Sequence, residues 1–160
     1  MKAVQYQIET AFFDEYDVIH VLMTNQKKGS FFPLYLEAEM CDDVVAFFED
    51  ESSMEKIKMR WAFFIDSWIK NGFEIKSIVL DNIDGGGVFL PVITFSQDQM
   101  GARTIYVTNF IPIGEAIACS LSSGVPFYVT NRAEEKVDSM SLSNLSRYIE
   151  ETKFEEVEDE

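Results

Sequence analysis

The segment Ile113–Thr130, IGEAIACSLSSGVPFYVT, constrains the fold more than any other stretch of the chain. It predicts a short helix of small residues that stops at a glycine and turns directly into a strand. Ile113, Ala116, Ile117 and Leu121 recur at helical spacing and share one face. Glu115 falls in the first turn, where a carboxylate interacts favourably with the helix dipole. Gly124 stands where a left-handed C-terminal cap is wanted, and Pro126 follows as a stop. Phe127, Tyr128 and Val129 have strand chemistry. Ala116, Ala118, Cys119 and Ser120 keep the helix thin, so another element must approach it closely.

Around this segment the pattern alternates between strands and helices. Residues 2–9, Tyr16–Thr24 and Ser30–Leu36 predict three strands, the last two joined by the Asn25–Gly29 hairpin loop. Pro33 inside the third predicts an edge position or a bulge. Glu37–Phe48 has helical spacing through Met40, Val44 and Phe47, and Glu49–Ser53 is a polar break. Met54–Asn71 is the longest periodic helix, with Met54, Ile57, Trp61, Phe64, Ile65 and Trp68 in one wide apolar stripe. Phe73–Leu80 and Val88–Phe95 predict a hairpin across the turn Asp84-Gly85-Gly86-Gly87, and Thr104–Thr108 a further strand. Ser141–Glu151 closes the series as an amphipathic helix, with Leu142, Leu145, Tyr148 and Ile149 inward. Hairpins interrupted by helices imply an α+β domain with a mixed, mostly antiparallel sheet packed with helices.

The chain is 160 residues long, enough for one core, so residues 1–149 are expected to form a single domain. Residues 150–160, EETKFEEVEDE, form an acidic tail expected to be disordered. No apolar run of about 18 residues exists, which argues against a membrane span. The alternating start MKAVQYQIE lacks the apolar block of a signal peptide, so a cytoplasmic location is expected. With 28 acidic against 13 basic residues the net charge is −15, which disfavours general nucleic-acid binding. Cys41 and Cys119 form no Cys-x-x-Cys pair and are expected to behave as small buried hydrophobes.

Three of these blocks together resemble the bifunctional nuclease family. FPLYLEAE (Phe32–Glu39) occupies the place of that family's Leu-Pro-Ile-Trp-Ile-Gly segment. WAFFIDSWIKNGFEIKSIVL (Trp61–Leu80) is similar to its helix-then-strand unit, with an acidic hairpin turn after it. EAIACSLSSGVPFYV (Glu115–Val129) is similar to its Asp-Ala-Ile, helix, Gly-Ala-Pro and aromatic strand. Glu115 keeps the carboxylate of the family's aspartate, whereas Arg60, Trp61 and Ala62 stand near the family's Thr-His-Asp. The resemblance implies the family's α+β fold and, through the activity that names it, hydrolysis of RNA or DNA.

Phosphodiester hydrolysis needs a metal held by carboxylates or a general base. The single histidine, His20, lies mid-strand on the face of Val18 and Leu22, where a core histidine is expected rather than a base. The carboxylates Glu37, Glu39, Asp42, Asp43, Asp81, Asp84 and Glu115 could converge if the strand ends meet. In the enzyme reading Glu115 is catalytic, and Glu37, Glu39 and Asp81 help hold magnesium or manganese. A first-turn acid is common at helix starts, so the structural reading of Glu115 as a helix-start carboxylate is the preferred one. Asp84-Gly85-Gly86-Gly87 lacks the following Lys-Ser/Thr of a phosphate loop. The alternative is a non-catalytic homo-oligomeric interaction module that keeps the fold. Its motive is an apparent surplus of aromatics: Phe12, Phe13, Phe31, Phe47, Phe48 and Phe63.

Overall fold

A computed structural model describes residues 2–82, 89–99 and 103–155, with the side chains of 38–42, 98, 99, 103–105, 107 and 109 left aside. The strands are β1 (Ala3–Phe13), β2 (Val18–Asn25), β3 (Ser30–Glu37), β4 (Phe73–Asp81), β5 (Leu90–Gln99), β6 (Arg103–Phe110), β7 (Phe127–Thr130) and β8 (Met140–Ser141). The helices are α1 (Ala38–Glu49), α2 (Glu51–Lys70), α3 (Ile113–Ser123), α4 (Asn131–Glu134) and α5 (Leu145–Thr152). The sheet runs β6-β5-β4-β7-β1-β2-β3-β8, and only the β4–β7 neighbours are parallel. The fold is thus α+β with a mixed, mostly antiparallel sheet.

β1 joins the two halves of the sheet. Its residues Ala3–Tyr6 pair with β7, and Gln7–Phe13 pair with β2. The register slips between Ile8 and Thr10, a bulge that increases local twist where the strand changes partners. The strand runs past the expected residue 9 because Ala11 and Phe12 are buried. Pro33 sits where expected: β8 pairs only with Ser30 and Phe31, so beyond them β3 is an edge that tolerates a missing N–H.

α1, α2 and α3 pack against one another and on one face of the sheet. Their shared core includes Ile19, Val21, Met23, Phe32, Ile78, Leu80, Val129 and Ile117. The opposite side chains of β1–β3 meet α5, where Tyr148 packs edge-on to Phe31. α2 begins at Glu51, earlier than its apolar periodicity predicts, because the Asp50 carboxylate accepts the Ser53 N–H as an N-cap. The expected polar break therefore shrinks to a single residue between α1 and α2.

α3 is as thin and as enclosed as its composition predicts. Gly114, Ala116, Ile117, Ala118, Cys119 and Ser120 are all buried, so the helix is enclosed on more than its apolar stripe. Gly124 takes the left-handed conformation (φ 72°) and its N–H returns to the Ser120 carbonyl. The Ser120 hydroxyl donates to the Val125 carbonyl at 2.8 Å, which holds the turn into β7. Cys119 is a buried free thiol whose pKa burial pushes up to about 11, the inert behaviour expected of it; the Cys41 side chain lies outside the described residues.

The expected C-terminal helix over 141–151 is present as α5, preceded by a 3-10 turn at Leu142–Asn144. Glu150, Glu151 and Thr152 belong to α5, and the Phe154 N–H donates to the Phe13 carbonyl at 2.8 Å. His20 explains the docking. Its Nδ1 lies 2.8 Å from the Tyr148 hydroxyl and its Nε2 2.8 Å from Asp14 Oδ2, while its ring stacks on Phe12. The core assignment for His20 holds, and both ring nitrogens are satisfied. Residues 156–160 lie outside the described residues. Among the described residues no helix is long and apolar enough to cross a membrane.

Candidate functional site

A cleft of about 530 Å³ opens between α2, the β4–β5 hairpin and the entry to α3. Trp61, Phe64 and Trp68 come from successive turns of α2, Phe73 from the start of β4, and Phe95 from β5. Ile111 and Pro112 form the end wall, and Glu115 projects from the first turn of α3. The rings form a continuous ladder. Phe64 stacks near Trp68 (6.5 Å), Trp68 meets Phe95 edge-on at 5.2 Å, and Phe73 meets Phe95 at 6.2 Å. The indole N–H of Trp61 is buried with no hydrogen-bond partner among the described residues.

Periodicity alone assigns the whole α2 stripe to the core. The structure buries Ile57 and Trp61, leaves Met54, Ile65 and Trp68 half-buried, and exposes Phe64. Helix spacing tells which residues share a face but not where the opposing layer ends. The cleft is the part of that stripe which the sheet does not cover. A signal was present in the density of large rings on one helix.

The expected carboxylates are placed separately. Glu115 is exposed and lines the cleft, which has no other acid among its described lining residues. Glu37 is exposed at the end of β3, where it pairs with Val18 and caps α1 without a side-chain hydrogen bond. Glu39 is the second residue of α1, and its side chain lies outside the described residues, as does that of Asp42. Asp43 pairs with Arg60 at 2.6 Å. Asp84 and its glycine turn also lie outside the described residues. Among the described residues no three His, Cys, Asp or Glu come together as a metal-holding group.

Asp81 is engaged elsewhere. Arg132 donates to both of its oxygens, from Nε and Nη2 at 2.6 Å each, and Thr130 donates to Oδ1 at 2.7 Å. The Asn82 N–H adds a bond at 2.8 Å. The guanidinium, the hydroxyl and this N–H outweigh burial and hold the carboxyl down at about 2. The Asp81 side chain is 5% exposed and that of Arg132 45%, so the ion pair has one wet and one dry partner. Its role is to clamp the end of β4 to β7 and α4, because Thr130 also N-caps α4 by accepting the Ala133 N–H.

Among the described residues, the carboxylates expected to hold magnesium or manganese are therefore not brought together. Glu115 offers one carboxylate and Asp81 is saturated by its own partners, whereas such ions take several oxygens in close array. No family model matches the chain, and no curated protein matches it.

The aromatic surplus is redistributed as well. Phe12 and Phe31 are buried, and Phe13, Phe47 and Phe48 are half-buried against the core. Of that group only Phe63 is exposed, at 70%, beside Met59 at 73% on the same face of α2. Ile69 on α2 and Tyr106 and Phe110 on the edge strand β6 are exposed too.

Proposed function

We propose that this protein is a non-catalytic interaction module that keeps an α+β scaffold and self-associates through the outer face of α2. The observation that carries this reading is a pair of exposed apolar side chains on that helix, set off from its buried stripe. One stripe, with Ile57 and Trp61, is buried in the core, while Met59 and Phe63 face solvent one turn apart. A surface helix ordinarily needs a single apolar face, and contiguous exposed apolar side chains mark interaction sites.

Charge opposes this association and makes a distinctive prediction. Two copies that each carry −15 repel at long range, and salt shortens that repulsion to about 10 Å at 0.1 M. Self-association is expected to strengthen as sodium chloride rises from low to moderate concentration. Sedimentation velocity at micromolar protein should show a species larger than the 18.4 kDa monomer. The double substitution Met59→Ser and Phe63→Ser should weaken it at least about tenfold, the effect of losing central apolar anchors. Both side chains are exposed, so the fold should survive. A strictly monomeric profile at every salt concentration would remove the proposal.

A metal-assisted nuclease is the second reading, favoured by the place of Glu115 at the lip of a cleft. It lacks a partner carboxylate among the described residues, and the net charge repels a nucleic acid.

A further inference from the structure

Independently of self-association, we propose that the cleft between α2, β4–β5 and α3 binds a small lipophilic organic cation. Its volume of about 530 Å³ lies in the range of small-molecule sites. Its walls are almost wholly apolar, so a ligand gains most of its binding by burying hydrocarbon or aromatic surface there. Charge decides what kind of ligand. Aromatic rings attract cations through their negative faces, and five rings line this cleft.

Glu115 adds the only formal charge among the described lining residues, none of which is basic. The net charge of −15 raises the local concentration of cations and excludes anions. A neutral apolar ligand would use the rings but leave the carboxylate idle. An anionic one would be repelled by both. A second copy of this acidic chain would bring further negative charge toward Glu115. The complementary occupant therefore has an apolar body that fills the ring ladder and a positive group that lies by the carboxylate.

The chain offers its own reporter. Both of its tryptophans, Trp61 and Trp68, line the cleft, so intrinsic fluorescence reads occupancy directly. Tetraphenylphosphonium is the probe, with neutral triphenylphosphine oxide and the near-isosteric anion tetraphenylborate as controls. At low ionic strength the phosphonium should quench tryptophan emission saturably and bind about tenfold more tightly than the neutral oxide, the range expected from a cation–π term plus one carboxylate. Tetraphenylborate should bind more weakly than either. Glu115→Gln, at an exposed position, should weaken the phosphonium about fivefold and leave the neutral oxide unchanged. Equal affinity for the cation and the neutral probe would overturn the proposal, as would an unchanged phosphonium affinity in Glu115→Gln. So would the absence of saturable quenching, or a lysine-rich peptide that saturates the cleft when the phosphonium does not. Phosphonium binding that dissociates a larger species in sedimentation would also overturn it, by giving the cleft to a second copy.

Discussion

Ile117→Ala is expected to lower the unfolding free energy by about 3 kcal/mol, the middle of the range for a fully buried isoleucine. Ile117 has no exposed surface and sits in the core that α3 shares with the sheet, α1 and α2. The cost should be at the upper side of ordinary mutational effects because its neighbours on α3 are already small. Ala116, Ala118 and Cys119 cannot swing across to fill the vacancy. The converse change is also informative. Ala116→Leu should cost about 1–3 kcal/mol by overpacking, since nothing separates that Cβ from buried surroundings. Urea unfolding of the two variants against wild type checks both. A helix that merely rested on the surface would tolerate the leucine and lose little with the alanine.

Arg132→Ala is expected to destabilise the protein by about 2 kcal/mol at neutral pH, and by much less in acid. Removing the guanidinium leaves the Asp81 carboxylate buried, with Thr130 and the Asn82 N–H as its remaining donors among the described residues. Breaking a fully buried pair costs about 3–5 kcal/mol, and the half-exposed guanidinium calls for a lower figure because solvent screens it. The drop of the Asp81 pKa to about 2 leads to a similar size, roughly 2 kcal/mol. The sign follows from linkage: a carboxyl depressed by folding contributes stability above its unfolded pKa near 4 and loses it as pH falls toward about 2. Wild type and Arg132→Ala should therefore differ clearly in urea midpoint at pH 7 and converge near pH 2. A difference that stays constant across that window would assign the effect to packing rather than to the charge.

These two sites differ in how far the sequence announces them. α3 is written in neighbouring residues: small side chains at helical spacing, Gly124 as cap and Pro126 as stop. Local signals of that sort survive into the fold because cap and turn geometry depend on adjacent backbone. The Asp81 clamp joins residues 51 apart, and nothing in the pattern around Asp81 distinguishes it from the other acids. With 28 carboxylates in the chain, a candidate cluster could be drawn almost anywhere. α4 has four residues, too few for any apolar periodicity, and β8 has two. The link from His20 to Tyr148 spans 128 residues and decides where the C-terminal helix docks. The candidate site was half legible. Trp61, Phe64 and Trp68 stand out at once, but only the placement of β4, β5 and Ile111 shows that the stripe is partly uncovered.

The bifunctional-nuclease resemblance rests on Phe32–Glu39, Trp61–Leu80 and Glu115–Val129, and the observed architecture is α+β with a mixed sheet. Hydrolysis would require more: at least a second carboxylate beside Glu115 to hold a metal and its water. Among the described lining residues Glu115 is the one acid, and Asp81 is paired with Arg132.

An assay of the purified full chain on single-stranded RNA and DNA, with magnesium or manganese supplied, puts this distinction to its most direct test. A protein that recognises without cutting should leave both substrates intact at every metal concentration, for wild type and Glu115→Gln alike. Metal-dependent cleavage by wild type that Glu115→Gln abolishes would contradict it, and would make the solitary carboxylate at the cleft a catalytic residue after all.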